Sequence, residues 1–158
     1  MLLSRNISNK TSCIRLLIHS VSRYSSGMDI KKLQRIVIDA LEDVKAQDIK
    51  IFNTSHITSL FDRVVIASGA SNRQTRALAS SVADRARELK IPIIAYEGSE
   101  TGEWVLVDLG DIVIHCMQPA IRRYYDLEGI WGGRPARVKL LPQSTQPSTG
   151  EPYGFDEQ

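Results

Sequence analysis

Cysteine is scarce in this sequence, and it lacks long apolar runs. The 158 residues include only Cys13 and Cys116, which are too few and too far apart for a disulfide framework or a zinc site. Cys116 lies in an apolar stretch and is predicted to be a small buried thiol, which fits a reducing compartment. No apolar run approaches the roughly 20 residues that cross a bilayer, so a membrane protein is not expected.

Acidic residues are also absent from the first 27 positions, which hold four basic residues. Removing these four from the 20 basic residues leaves 16 against 18 acidic residues, so the remaining chain is slightly acidic. A concentrated positive face is needed to bind phosphates, and DNA is therefore not expected as a partner. The basic, Ser-rich leader 1–27 is typical of a mitochondrial transit peptide, whereas Met28 is an alternative start. In both cases the leader lies outside the fold.

After the leader, helical and strand patterns alternate. Their order predicts an α/β (α+β) fold, with a mixed sheet of about five strands and helices packed on it. The predicted elements are a helix over 29–47, strands over 48–53 and 63–68, a helix from 71 to about 90, a strand beginning at 93, a hairpin with strands 103–108 and 112–117, and a helix over 119–131.

Local signals mark several of the predicted boundaries. Ser71 and Gln74 match a capping box, and the helix that follows is expected to bury Leu89 along with other apolar residues. Gly110 can take the positive φ that the hairpin turn needs, and Pro119 fits the first turn of the last helix. Residues 141–158 are rich in Pro, Ser and Thr, which predicts a disordered tail.

The segment 97–131 combines aromatic and acidic side chains, a mixture suited to binding a basic protein surface. Strand alternation puts Trp104, Leu106 and Asp108 on one face, where Trp104 is either a core residue or an interface anchor. Tyr124 and Tyr125 are adjacent on a helix and about 100° apart, so one should be buried and the other at least partly exposed. The remaining candidate partner-binding residues are the acids Glu97 and Asp111.

Three other sets of residues have a simpler interpretation. His115 is predicted to be a hydrogen-bonded core histidine, and Arg122 and Arg123 to be solvated charges. The arginines of the second helix are a solvated face or, alternatively, an RNA-binding one; they are Arg73, Arg76, Arg85 and Arg87.

Four motifs together resemble the Iojap family of ribosomal silencing factors, and the resemblance covers about residues 29–140. It favours bacterial members, and therefore Met28 as the start and a cytoplasmic location, with the mitochondrial matrix as the alternative. The motifs are ALEDVKAQDI (40–49), FDRVVIASGASNRQTRALA (61–79), EGSETGEWVLVDLGDIVIH (97–115) and QPAIRRYYDLEGIWG (118–132).

The resemblance implies a domain over residues 28–140 and a specific activity. Family members bind the large ribosomal subunit through its ribosomal protein number fourteen, and their bulk blocks joining with the small subunit. Mitochondrial relatives act in large-subunit assembly. These implications favour Trp104 as an interface residue, and an exposed apolar face would support a homodimer of the unbound protein.

The family fold resembles nucleotidyltransferases, which raises an enzymatic alternative. The turn from Gly69 to Ser71 precedes a helix, where a phosphate could bind. However, Asp62 has no carboxylate two residues later, and a nucleotidyltransferase needs closely spaced carboxylates to hold magnesium. No catalytic residue, cofactor or metal site is therefore predicted, and the capping role of Ser71 is preferred.

Overall fold

The computed structural model of the chain describes residues 27–131. The predicted tail, residues 132–140 and nearly all of the leader lie outside this range. Within it, no helix has both the length and the apolar character that crossing a membrane requires. The elements are α1 (Ile30–Asp43), β1 (Gln47–Asn53), β2 (Arg63–Ser68), α2 (Asn72–Glu88), β3 (Ala95–Glu97), β4 (Trp104–Asp108), β5 (Ile112–Met117), α3 (Pro119–Tyr125) and α4 (Leu127–Trp131).

The five strands form one mixed sheet in the order β1-β2-β5-β4-β3. Strands β2 and β5 are parallel and form the centre, and the other three pairings are antiparallel. This arrangement confirms the predicted fold class. In the β4–β5 hairpin, β5 is therefore the central strand and β4 lies beside it, so neither strand is at an edge.

Each face of the sheet is covered by a separate apolar cluster. On one face α1 and α2 pack on the sheet, with Leu41 and Leu78 among the buried side chains that meet Val105 and Val107. On the other face, residues from α3 and α4 pack against Trp104, together with side chains of β1, β2 and β5. The predicted alternation along β4 is confirmed, and both sides of this strand are buried.

The helix boundaries agree with the local signals at the start of α2 and depart from them elsewhere. The Ser71 hydroxyl accepts a hydrogen bond from the Gln74 N–H at 3.1 Å, which confirms the cap. Helix α1 ends at Asp43 rather than near Gln47, because Lys45 takes a left-handed conformation with φ +62°. The prediction that Leu89 is buried was wrong: it lies just past α2 and is 45% exposed.

The predicted helix over residues 119–131 is two short helices instead of one. Asp126 has φ +44° and ψ +56°, a left-handed conformation that ends α3. Its carboxylate then accepts a hydrogen bond from the Gly129 N–H at 3.3 Å, at the start of α4. Asp and Asn tolerate this backbone conformation better than most residues, so the change of direction occurs at a residue suited to it.

The β4–β5 turn has the geometry that the sequence predicted. Gly110 has φ +87°, and its N–H donates a 2.8 Å hydrogen bond to the carboxylate of Asp108. This local bond between an Asp side chain and the backbone two residues later stabilises the turn. It fixes the register in which β4 and β5 pair.

Candidate functional site

Trp104 lies at the start of β4 and is only 7% exposed. Its indole Nε1–H donates a hydrogen bond to Nδ1 of His115 at 3.1 Å, and the two ring centroids are 5.8 Å apart. The expectation that His115 is a hydrogen-bonded core residue is confirmed. The structure thus places Trp104 in the apolar layer, with a small edge reaching the surface.

Tyr125 and Tyr124 extend this cluster outward from Trp104. The Tyr125 ring is buried with its centroid 5.0 Å from that of Trp104, and Tyr124 packs edge-on against Tyr125, also at 5.0 Å. Tyr124 is 68% exposed, so the expectation of one buried and one exposed tyrosine is confirmed. We call Trp104, Tyr125 and Tyr124 the aromatic cluster.

The surroundings of Tyr125 include an acidic side chain. Burial raises the pKa of the Tyr125 hydroxyl, with smaller contributions from Tyr124 and from the carboxylate of Glu103. Glu103 is exposed, which puts a negative charge close to the aromatic cluster.

Glu97 and Leu106 lie on the same face of the sheet as Trp104. Glu97 is directly opposite Leu106 in the antiparallel β3–β4 pair, and opposed residues in such a pair project to the same side. Leu106 is buried, whereas Glu97 is exposed. Among residues 27–131, neither Glu97 nor Glu103 forms an ion pair.

Asp108 and Asp111 contribute mainly to the hairpin turn. Asp108 is buried, and this burial raises the pKa of its carboxyl group, while the hydrogen bond from the Gly110 N–H acts in the opposite direction. The carbonyl of Asp111 accepts hydrogen bonds from the N–H groups of Asp62 and Arg63, at 2.9 and 3.1 Å. The structure therefore places Glu97 at the surface opposite Leu106 and gives Asp108 and Asp111 structural hydrogen bonds.

The turn before Trp104 is held by backbone contacts. The Arg76 guanidinium donates hydrogen bonds to the carbonyls of Ser99 and Glu100, both at 2.7 Å. Gly98 has φ +84°, and a Cβ at this position would collide with the carbonyl oxygen of Trp104. Only glycine fits such a close approach, so the backbone of Trp104 is fixed from the β3 side.

A buried arginine fixes the helices that carry the tyrosines. Arg122 is 4% exposed, so the prediction that it is a solvated charge was wrong. Its guanidinium donates to the Asp48 carbonyl at 2.7 Å, to the Ser68 hydroxyl at 2.8 Å and to the Glu128 carboxylate at 2.7 Å. We call these four residues the Arg122 cluster; it joins α3 and α4 to the ends of β1 and β2.

Glu128 also contacts Lys50, whose amine lies 3.0 Å from Oε1 of the same carboxylate. Partial burial opposes ionisation of Glu128, but the hydrogen bonds from Arg122 and Lys50 outweigh it and lower the pKa of this carboxyl group. No sequence signal distinguished Arg122 from Arg123, because two of the three hydrogen-bond partners of Arg122, Asp48 and Ser68, lie in distant segments of the chain.

The Gly69–Ser71 turn is engaged in capping. The Ser71 hydroxyl accepts from Gln74, and the Gln74 side-chain oxygen accepts from the Ala70 N–H at 2.8 Å. In the part of the chain that the structure describes, no group of three or more His, Cys, Asp or Glu side chains is arranged to hold a metal ion. The predicted site residues that the structure brings together are those of the aromatic cluster, with the exposed acids Glu97 and Glu103 nearby.

Comparisons with known proteins identify relatives of the chain. Residues 28–154 match the sequence model of a family described as ribosomal silencing factor during starvation. A ribosomal silencing factor of Chromobacterium violaceum is 51% identical over 107 residues, covering 68% of this chain and 88% of that protein. One from Bacillus subtilis is 37% identical over 108 residues, covering 68% and 92%.

A more distant relative and two solved structures extend the comparison. A mouse protein named mitochondrial assembly of ribosomal large subunit protein 1 is 31% identical over 99 residues, which cover 61% of this chain and 43% of that protein. A crystal structure from Chromobacterium violaceum has a TM-score of 0.66 at 47% identity, covering 76% of this chain and 98% of the other. One from Bacillus halodurans has a TM-score of 0.63 at 33% identity, covering 68% and 99%.

The family match extends over most of the sequence, and the bacterial relatives are matched over nearly their whole length. The solved structures share the fold described above. These findings agree with the resemblance carried by the four motifs. The chain belongs to the ribosomal silencing factor family, whose members take part in ribosome-associated regulation of translation.

Proposed function

We propose that this chain binds the large ribosomal subunit through ribosomal protein number fourteen and sterically blocks joining with the small subunit. Binding covers a surface that the small subunit would otherwise occupy, so translation falls without any chemical step. The chain acts in the bacterial cytoplasm and needs no cofactor or metal. Its activity is therefore set by occupancy of the large subunit rather than by turnover.

The observation that carries this proposal is the exposed Tyr124 supported by two buried aromatic rings. Aromatic side chains that are held rigidly and reach the surface are frequent anchors of protein interfaces, since little conformational entropy is lost when they bind. Tyr124 rests on Tyr125, which rests on Trp104. The predicted interface therefore has Tyr124 as its direct contact and Trp104 mainly as its support.

The acids near the cluster favour a basic partner. Glu97 and Glu103 are exposed and form no ion pair within residues 27–131, and Asp111 lies at the neighbouring turn. Rim charges of this kind speed up encounter and set its salt dependence, whereas a central aromatic residue supplies most of the affinity. We accordingly expect Tyr124 to matter more than any single acid.

A nucleotidyltransferase activity is the enzymatic alternative. It would use the Gly69–Ser71 turn for phosphate binding, yet the Ser71 hydroxyl and the Ala70 N–H both have partners in the helix cap. A thermal-shift screen with nucleotides and magnesium tests it directly. A rise in melting temperature with any nucleotide would favour this alternative over a purely steric role.

A role in large-subunit assembly is the second candidate, favoured by the similarity to the mouse mitochondrial assembly protein. It requires the same contact with the large subunit, at an earlier stage of subunit maturation, and it would place the chain in the mitochondrial matrix.

A separate part of the proposal is a homodimer of the unbound chain, formed through the exposed Tyr124 and Ile130 side chains. Equilibrium sedimentation of the free protein tests the dimer.

Sucrose-gradient sedimentation of the full chain tests the proposed function. The chain is mixed first with purified large subunits and then with both subunits, and the joined ribosomes are quantified. Co-sedimentation with large subunits together with fewer joined ribosomes is the expected result. Co-sedimentation without an effect on joining would favour the assembly role, and no co-sedimentation would contradict both.

A further inference from the structure

The proposed function assigns partner contact to Tyr124 and the exposed acids Glu97 and Glu103, which we call the docking surface. The hydrogen bond between Trp104 and His115 is a buried side-chain contact in the apolar layer that supports Tyr124. The two residues are not directly opposite each other, because Trp104 pairs with Met117 and His115 pairs with Leu106. The indole reaches diagonally across the two strands, a span that is within reach of a large aromatic side chain. The Nε1–H then donates to Nδ1 of His115 at 3.1 Å.

This contact defines the chemical state of His115. An indole N–H is a donor only, so Nδ1 of His115 must act as an acceptor and carry no proton. The imidazole is consequently neutral, with its proton on Nε2. His115 is 3% exposed, and its neighbours in the layer are apolar or aromatic, so the environment also disfavours the charged form.

The bond selects one orientation of the indole. A tryptophan side chain has several staggered and near-perpendicular rotamers, and apolar packing alone distinguishes weakly between similar ones. A single buried acceptor removes this ambiguity, because every other orientation would leave the indole N–H without a partner. In the selected orientation the indole contacts Tyr125, and Tyr125 in turn contacts Tyr124.

We propose that His115 is a positioning residue for the docking surface: by accepting the Trp104 indole N–H it fixes the ring that supports Tyr125 and, through it, the exposed Tyr124. This inference rests on the proposed function, in which Tyr124 contacts the partner. His115 itself does not touch the partner. Its contribution to binding is preorganisation, which limits the entropy lost when Tyr124 is immobilised.

The alternative is that His115 only fills space. The two roles predict different results for substitutions of similar size. In His115→Asn the side-chain oxygen occupies nearly the place of Nδ1 and can accept the indole N–H. In His115→Leu the volume is largely kept, but the acceptor is lost. A space-filling role predicts that leucine is tolerated at least as well as asparagine.

The test measures binding to large subunits and the indole N–H resonance of Trp104 in ¹H–¹⁵N NMR spectra. Trp131→Phe identifies which of the two indole resonances belongs to Trp104. We expect His115→Leu to move this resonance and to weaken binding about tenfold, and His115→Asn to stay within about threefold of the parent. Should His115→Leu fail to fold, His115→Gln replaces it, because its amide lies too far from the backbone to take the place of Nδ1.

A double-mutant cycle shows whether His115 acts through the indole. In a Trp104→Phe background the N–H donor is absent, so His115→Leu should change binding by less than about twofold further. An effect as large as in the parent would overturn the proposal. So would a folded His115→Leu variant that has a shifted indole resonance and unchanged binding.

The outcome for Tyr124 separates this inference from the proposed function. If Tyr124→Ala weakens binding and His115→Leu does not, the docking surface stands and the positioning role of His115 is wrong. If the chain binds large subunits and Tyr124→Ala has no effect, the docking surface itself is wrong, and the positioning role is overturned with it.

Discussion

Trp104 and Tyr124 are the two ends of one series of ring contacts. Trp104 is almost wholly buried and Tyr124 mostly exposed, with Tyr125 between them. Burial of a large aromatic side chain in the core stabilises the fold, whereas a rigid exposed ring can become buried when a partner binds. Substitutions at the two ends should therefore separate folding from binding.

Tyr124→Ala should weaken large-subunit binding by about 2 kcal/mol, the loss typical of an interface anchor. Because the side chain is exposed, its loss should change the free energy of unfolding by no more than about 0.5 kcal/mol. Sedimentation with large subunits and urea denaturation measure the two effects. Leu89→Ala is the control, because Leu89 is an exposed apolar residue just after α2, on the opposite face of the sheet. This substitution should leave binding unaltered.

Trp104→Ala should have both effects. Removing the buried indole leaves a cavity and should lower the free energy of unfolding by about 3–5 kcal/mol. The loss of support for Tyr124 should also weaken binding by roughly 2 kcal/mol or more. Binding has to be measured on the folded fraction, as determined by circular dichroism. Full binding by a folded variant would contradict the supporting role.

His115 should make stability depend on pH. Burial lowers the pKa of its imidazole from 6.5 to about 4, so the unfolded chain takes up a proton at a higher pH than the folded chain does. The contribution of neutral His115 to the free energy of unfolding is complete above the unfolded-state pKa of 6.5, and it is lost as the pH falls toward 4. Between about pH 7.5 and pH 5 this amounts to about 2 kcal/mol.

Urea denaturation at a series of pH values measures this dependence. His115→Asn should reduce the slope between neutral and mildly acidic pH, because asparagine does not titrate. His56→Asn, at an exposed position in the turn after β1, is the matched control for replacing a histidine by asparagine. An equal slope in both variants would mean that another group is responsible.

Among the elements, α3 and α4 depend most on a single polar contact. They are 7 and 5 residues long, too short to be stable alone in water. Their positions are set by apolar packing on the sheet and by the Arg122 cluster. Because Tyr124 and Tyr125 lie at the end of α3, the cluster also controls where the docking surface lies relative to Trp104.

Arg122→Met should destabilise the fold by about 3 kcal/mol, since it leaves Glu128 and the Asp48 carbonyl without their buried donor. The two short helices should become more mobile, with faster amide exchange in residues 119–131 than in the sheet. Arg123→Met, the adjacent and exposed arginine, is the matched control and should be nearly neutral. Hydrogen exchange monitored by mass spectrometry distinguishes the two variants.

At the scale of the whole molecule, several arginines along α2 are paired with carboxylates or with backbone carbonyls. Arg85 contacts Asp43 at 3.2 Å and Arg87 contacts Asp84 at 2.7 Å, while Arg76 is engaged with backbone carbonyls. This face is therefore less positive than its arginines alone suggest. RNA binding through α2 would compete with these contacts and would be strongly salt-dependent.

The double substitution Arg85→Gln and Arg87→Gln should leave large-subunit binding within about twofold, because exposed ion pairs contribute little. Glu97→Gln and Glu103→Gln together should instead slow association and reduce its salt dependence. Binding kinetics at two salt concentrations distinguish the two pairs. A large loss for the arginine pair would favour RNA as the contact.

Most of the fold follows from local patterns. Strand β2 has the predicted bounds, the cap at Ser71 forms as the capping box indicates, and the two faces of β4 separate as alternation requires. These features depend on residues one to four positions apart, and such spacings are visible in the sequence. The family resemblance was likewise carried by contiguous motifs.

Other features were decided by contacts between distant segments. Whether Trp104 is covered depends on α3 folding back over β4, and the burial of Arg122 depends on Asp48 and Ser68, which lie 74 and 54 positions away. The sequence by itself determined the strands, their order, the first two helices and the family, whereas only the tertiary structure decided which aromatic ring is exposed, which charges are buried and where the last helical segment divides in two. The physical reason is that exposure depends on what packs against a side chain, and that partner is distant in sequence.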